Sequence, residues 1–155
     1  MNMITVLDLY KELISHSQKN SVEFYEKNLH YLFFETITDD LRALISDKIG
    51  LNYDESVLFA TDGKSKHDFE QGIIITDSRL FFIDDKVVYN WSDIVEIKRS
   101  KPRFNGSVII SIRELNNTTK EIEQLCHNCY IFADFVDVFL SKLAVEINKL
   151  NTYNQ

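Results

Sequence analysis

The sequence predicts an α+β protein in which helices come first, an antiparallel β-sheet follows, and one long helix closes the chain. Three observations predict this order. Apolar residues recur at helical spacing through residues 1–50, short β-rich runs split by polar turns fill the middle, and a three-and-four apolar repeat runs over 129–150. At 155 residues we expect a single domain, residues 1–155, in which 1–50 extends a unit spanning 51–150.

The first fifty residues are predicted to be helical throughout. One apolar stripe covers residues 4–14 and a second covers residues 22–33. A third helix is predicted after Thr38, because the two aspartates that follow would lie at the positive end of the helix. Gly50 is the expected stop, since glycine readily takes the left-handed conformation that ends many helices.

The middle of the chain predicts an antiparallel meander. Its strand candidates are Val57–Ala60, Ile73–Ile75, Leu80–Ile83, Val87–Tyr89, Trp91–Ile97, Val108–Ile112 and Glu121–Glu123. Turn-forming Asp, Ser, Asn and Gly residues separate them, which is typical of neighbouring strands joined by short loops. The polar segment 61–68 and the basic segment 98–106 are predicted as loops, and the helix over 129–150 is the strongest helical pattern in the chain.

Two motifs lie in the first strands of the meander. They are Glu55-x-Val57-Leu58-x-Ala60 and Gly72-x-x-x-Thr76-Asp77-x-Arg79-Leu80-x-Phe82. With the strand near Trp91 and the closing helix, this order resembles bacterial pleckstrin-homology-like and GRAM-like domains over about residues 51–150. The resemblance implies a curved sheet plugged at one end by the helix, with loops free to bind at the other end. It also implies a protein that binds rather than transforms its target.

The helical extension is a departure from the minimal domain of that family. These fifty residues would either pack on the sheet as part of the same core or present a second surface. We expect them to join the core, because so short an all-helical segment would hardly be stable alone.

The charge balance is acidic. The chain has 17 Lys+Arg and 24 Asp+Glu, a formal net charge of -7, and a pI near 5.0. Such a surface repels the phosphates of nucleic acid and speeds the capture of a basic protein. The plain alternative is that the charge serves solubility, as it does in many acidic proteins.

The sequence predicts a cytoplasmic protein. The N-terminus has no basic region followed by an apolar stretch, and no segment approaches the roughly 20 apolar residues of a membrane span. Two cysteines are too few for a disulfide framework.

Those cysteines form Cys126-His127-Asn128-Cys129 at a predicted helix start, where a thiol pKa is lowered. A redox role is not favoured, because the sequence does not predict the parallel βαβ unit in which such motifs occur. A zinc site would need further ligands from His16, His30 or His67. We favour two packed thiols with no metal and no cofactor. Since catalytic motifs for phosphate binding, acyl transfer or metalloproteolysis are also missing from the sequence, we predict a protein that is not an enzyme.

The main functional hypothesis is stoichiometric protein binding. A small acidic chain without catalytic groups suits an inhibitor of the immunity-protein type, which neutralises a basic toxin or nuclease. Paired carboxylates are the candidate partner-binding residues: Asp39, Asp40, Asp54, Glu55, Asp68, Glu70, Asp84 and Asp85. Each pair also has a local explanation as a helix cap or a turn.

The alternative is a membrane- or phosphoinositide-binding module. Four cations fall within six positions of the predicted basic loop: Lys98, Arg99, Lys101 and Arg103. The resemblance implies that a basic loop of this kind holds lipid headgroups, and phosphate recognition by such a cluster is physically reasonable. An exposed edge strand would also allow a homodimer.

Overall fold

The computed structural model of the protein describes residues 4–16, 31–61, 69, 72–125 and 129–153. The α-helices are α1 (Val6–His16), α2 (Asp39–Ile49), α3 (Cys129–Phe135) and α4 (Ser141–Tyr153). The strands are β1 (Leu32–Phe33), β2 (Val57–Ala60), β3 (Ile73–Thr76), β4 (Arg79–Phe82), β5 (Val87–Asn90), β6 (Ile94–Arg99), β7 (Ser107–Glu114) and β8 (Thr119–Leu125). Two 3-10 turns, Phe34–Thr36 and Trp91–Asp93, and a π-helical stretch, Val136–Leu140, complete the described elements.

The strands form two antiparallel sheets. The first has five strands in the order β1-β2-β3-β4-β5, and the second has three in the order β6-β7-β8. Every pairing joins consecutive strands and is antiparallel. This architecture confirms the predicted α+β class, with helices before the sheets and a long helix after them.

An aromatic core joins the first sheet to the C-terminal helix. The rings of Phe59 on β2 and Phe135 on α3 stack with their centroids 4.4 Å apart, and Phe135 stacks on Phe139 at 5.3 Å. Tyr10 of α1 meets Phe139 edge to face at 5.8 Å. Helix α1 therefore packs into the same core as the sheet.

A second core lies on the other face of the first sheet. Ile45 of α2 is fully buried there, in a cluster with Ile74 of β3 and Phe81 of β4. All four residues of β2 and of β3 are buried. A sheet covered on both faces needs continuous apolar strands, and this explains why the sequence shows an Ile73–Ile75 run instead of polar alternation.

Residues 31–33 correct the prediction of an all-helical first fifty residues. Leu32 and Phe33 form β1 and pair with Ala60 and Phe59 of β2. Phe33 packs in the aromatic core, whereas Leu32 packs against the α2 cluster, which is the alternation of a strand. The rest of the predicted second helical segment, residues 22–30, lies outside the described residues.

The predicted strands are confirmed, with changes at their ends. β6 starts at Ile94, after a 3-10 turn at Trp91, and continues to Arg99. Lys98 and Arg99 therefore belong to a strand and not to the predicted loop. β7 and β8 are longer than predicted, because cross-strand pairing continues as far as Arg113 and Thr119.

The C-terminal helix departs from regular α geometry in its middle. Between α3 and α4 the chain is π-helical, and the Ser141 N–H donates to the Val136 carbonyl, five residues back. Ser141 Oγ also donates to the Ile97 carbonyl of β6 at 2.8 Å. Asp137 forms an ion pair with Arg99, so the π-helical stretch is fixed to the second sheet.

Candidate functional site

A buried ion pair lies where β2, the β3–β4 turn and the end of α2 meet. Glu55 is 3% exposed. It accepts two hydrogen bonds from the Arg79 guanidinium, one of them from Nε at 2.9 Å. Arg79 also donates to the Gly50 carbonyl at the end of α2, at 3.1 Å. The pair therefore holds three elements together.

Further donors surround the Glu55 carboxylate. The hydroxyls of Thr76 and Ser78 donate to Oε2, and the Asn52 N–H donates to Oε1 at 3.1 Å. Burial alone would raise the pKa of Glu55, but the hydrogen bonds from Arg79, Thr76, Asn52 and Ser78 outweigh it and lower the pKa to about 2. Glu55 is therefore ionised and fully engaged within the protein, so it has no free surface to offer a partner.

The rest of the Thr76–Arg79 turn is also structural. The Ser56 N–H donates to Asp77 Oδ1 at 3.1 Å, and the Trp91 indole N–H donates to the Thr76 carbonyl at 2.9 Å. Burial, together with the negative charges of Glu55 and Asp54, raises the pKa of Asp77.

A polar groove opens beside this turn. Its volume is about 360 Å³, and Asp39, Arg42, Asp54 and Phe34 are among the residues that line it. Thr38 caps α2 by accepting a hydrogen bond from the Leu41 N–H, so the first turn of α2 and its aspartates are fixed at one side of the groove. Arg42, one turn further along α2, donates to the Asn52 carbonyl at 3.4 Å and so links the helix to the segment before β2.

Tyr53 lies at the rim of this groove and is fully exposed, with 103% relative accessibility. It is outside the set of residues that the sequence predicts for binding. Its sequence signal is weak, because it follows no apolar period and lies between Asn52 and Asp54 in a turn. An exposed aromatic beside free carboxylates suits recognition of a cationic side chain.

The structure divides the predicted acidic residues between the two ends of the first sheet. Asp39, Asp40 and Asp54 are exposed near the groove. Asp84 and Asp85 lie in the β4–β5 turn, past the end of β4 that is remote from Arg79.

The two aspartates of the β4–β5 turn differ in their contacts. Asp84 accepts a hydrogen bond from the Gly72 N–H at 2.7 Å and so has a structural role. Burial, and to a smaller extent the negative charges of Asp84 and Glu123, raise the pKa of Asp85. The two remaining candidates, Asp68 and Glu70, are outside the described residues.

Three of the four predicted lipid-binding cations are engaged in ion pairs. Arg99 pairs with Asp137, Arg103 with Glu123 at 3.2 Å, and Lys98 with Glu96 at 3.5 Å. Among the residues that the structure describes, Lys101 is the member of the cluster without an ion-pair partner. The cluster thus offers much less free positive charge than its sequence suggests.

The cysteine motif falls largely outside the described residues, which resume at the backbone of Cys129. His30 and His67 are likewise outside them, and His16 is exposed beside Glu12, 3.8 Å away. Within the described ranges, no three His, Cys, Asp or Glu side chains cluster as metal ligands. None of the described helices is long and apolar enough to span a membrane.

Comparison with known protein families gives a match. The family model described as a bacterial PH domain matches residues 51–136, which is more than half of the 155 residues. It covers the chain from the loop before β2 to the first residue of the π-helical stretch. No curated protein and no solved structure matches the chain.

Proposed function

The chain belongs to the bacterial PH domain family, whose members are generally non-catalytic binding modules for proteins or lipids, and we propose that this one binds a basic protein. The narrower form of the proposal is an inhibitor of the immunity type, which neutralises a cationic toxin or nuclease domain by covering its surface. An inhibitor of this kind needs a surface complementary to its target and no catalytic residues.

The observation that carries the proposal is the polar groove beside β2, where two exposed aspartates accompany one lining cation, Arg42. Asp39 and Asp54 line this groove, which has a volume of about 360 Å³, and the exposed Tyr53 lies at its rim. The buried Glu55–Arg79 pair fixes the floor, so the groove is formed before a partner arrives. A preformed site loses less conformational entropy on binding, which favours affinity.

The overall charge supports the same partner. A formal net charge of -7 gives a long-range attraction for a cationic protein and raises the association rate. The lipid alternative is less well supported, because an anionic bilayer would be repelled by most of the surface and Lys98, Arg99 and Arg103 are already paired.

The proposal is tested by affinity capture from the native cell lysate at moderate salt, followed by binding kinetics with the purified partner. We expect one basic protein, retained near one to one. The double variant Asp39→Asn/Asp54→Asn should weaken its binding about tenfold. At low salt, most of this loss of affinity should come from a slower association rate.

The matched control is Asp47→Asn/Asp93→Asn, which removes the same charge from exposed positions that do not line the groove. It should change affinity by no more than about twofold. Equal losses of affinity in both variants would show that overall charge, and not the groove, determines binding. Retention of no protein, together with flotation on anionic liposomes that neutralising Lys98, Arg99, Lys101 and Arg103 abolishes, would support the lipid alternative instead.

A further inference from the structure

The turn between β6 and β7 displays a phenylalanine to solvent. Phe104 has 114% relative accessibility, more than any other large apolar residue that the structure describes. It lies five residues after Arg99, the last residue of β6, in the loop that leads into β7. A fully exposed phenylalanine contributes no burial energy to the fold, so its whole ring is available for contact with a partner.

The turn is held rigid on both sides of that ring. Arg103 donates to Glu123 Oε2 at 3.2 Å and Asn105 donates to Glu123 Oε1 at 2.9 Å, so one carboxylate of β8 braces the two neighbours of Phe104. The Arg103 N–H donates to the Ser107 carbonyl at 2.9 Å, and Ser107 Oγ donates to Asn105 Oδ1 at 2.6 Å. A rigid turn loses little entropy when its tip is buried by a partner.

The charges around the turn favour a protein partner over an anionic lipid surface. The turn itself carries Lys101 and Arg103, but Glu121 and Glu123 lie on β8 and the charge of Glu123 reaches Asp85 of the β4–β5 turn. Two cations, one of which is already paired with Glu123, do not make the polybasic surface that anionic lipid requires. The surroundings suit a protein surface that carries lysine or arginine.

We infer that Phe104 is an anchor residue that inserts into an apolar pocket of a protein partner, with basic residues at the rim of that pocket. The inference rests on the proposed protein-binding function and adds a contact surface separate from the polar groove. Aromatic anchors that become fully desolvated commonly dominate the binding energy of an interface. The acidic residues nearby would set the orientation of the partner.

The test uses photo-crosslinking from three exposed aromatic positions of the full chain. A benzophenone-bearing phenylalanine analogue replaces Phe104, Tyr53 at the groove, or Tyr130 on α3, which is 79% exposed and serves as the control. After irradiation in native cells we expect one discrete protein adduct from position 104 and none from position 130. With that protein purified, Phe104→Ala should weaken binding at least about tenfold and Tyr130→Ala less than about twofold.

The outcomes distinguish this inference from the proposed function. An adduct from position 53 but not from 104 overturns the inference and leaves the groove proposal standing, while no protein adduct from either position overturns both. Unchanged affinity of Phe104→Ala also overturns the inference. Binding to phosphatidylcholine/phosphatidylserine vesicles that Phe104→Ala removes would assign the ring to a bilayer and contradict it.

Discussion

At the scale of single residues, the motif that carries the family resemblance is structural. Glu55 and Arg79 form a buried ion pair, and Thr76 links that pair to Trp91 through its hydroxyl and its carbonyl. Gly72, the first residue of the second motif, has φ of +107°, and a Cβ there would lie 2.2 Å from the Thr61 carbonyl oxygen. These residues fix the sheet.

Replacing Glu55 with glutamine should remove the pH dependence that this carboxylate gives to stability. Its folded pKa, about 2, lies below the ordinary value of 4.5, so its contribution is complete above pH 4.5 and is lost as pH falls towards 2. The difference corresponds to about 3 kcal/mol. Urea denaturation should show Glu55→Gln less stable than wild type by about that amount at pH 7, and nearly equal to it near pH 2.

The exposed neighbour Asp54 provides the control for that measurement. Asp54→Asn should change the free energy of unfolding by less than about 0.5 kcal/mol at either pH. A difference between wild type and Glu55→Gln that stays constant from pH 7 to pH 2 would show that the carboxylate contributes through shape and not through charge.

At the scale of elements, α2 is the covering layer of the first sheet. Its stripe places Ile45 against β3 and β4, whereas Leu44, the preceding residue, is 48% exposed. The helix is fixed at its start by the Thr38 cap and at its end by Gly50, which has φ of +66°. Since Asp39 lines the groove and Gly50 accepts from Arg79, the position of α2 also sets the geometry of the candidate site.

Truncating Ile45 should therefore destabilise the protein far more than truncating its neighbour. Ile45→Ala leaves a cavity between α2 and the sheet and should lower the free energy of unfolding by about 2–4 kcal/mol. Leu44→Ala, on the same helix turn, should cost less than about 0.5 kcal/mol. Chemical denaturation of the two variants checks this, and similar losses in both would contradict the packing of α2 through Ile45.

At the scale of the whole molecule, the two cores connect the extension to the family domain. α1 packs on the C-terminal helix, β1 adds a strand to the first sheet, and α2 covers the outer face of that sheet. Removing residues 1–50 would expose apolar surface on both the sheet and the helix. We therefore propose that residues 1–155 fold as one unit, and that the matched region is not stable without the extension.

That proposal predicts a single unfolding transition for the full chain. Fluorescence of Trp91, which reports on the sheets, and far-ultraviolet circular dichroism, which reports on the helices, should give the same midpoint. A fragment of residues 51–155 should aggregate or show no cooperative transition. A soluble fragment with a sharp transition, or two separate midpoints in the full chain, would show that the extension is an independent element.

Local sequence determined much of this protein. Continuous apolar runs between short polar turns specify the strands of the first sheet, and the three-and-four repeat specifies the C-terminal helix, because these periods follow from backbone geometry alone. The end signals Thr38 and Gly50 specify α2 to within a residue, since each acts on neighbouring backbone groups. The acidic charge is likewise a property of composition.

Long-range contacts decided what local patterns could not. Leu32 and Phe33 pair with a strand about 27 residues away, so no helical period in their own segment could reveal β1. Glu55 and Asp54 look equivalent in sequence, yet the fold buries one against Arg79 and leaves the other at the groove. Three of the four cations of the basic cluster are paired in the same way, with carboxylates of β6, β8 and the π-helical stretch. The tertiary structure therefore decides which of these charges remain unpaired at the surface.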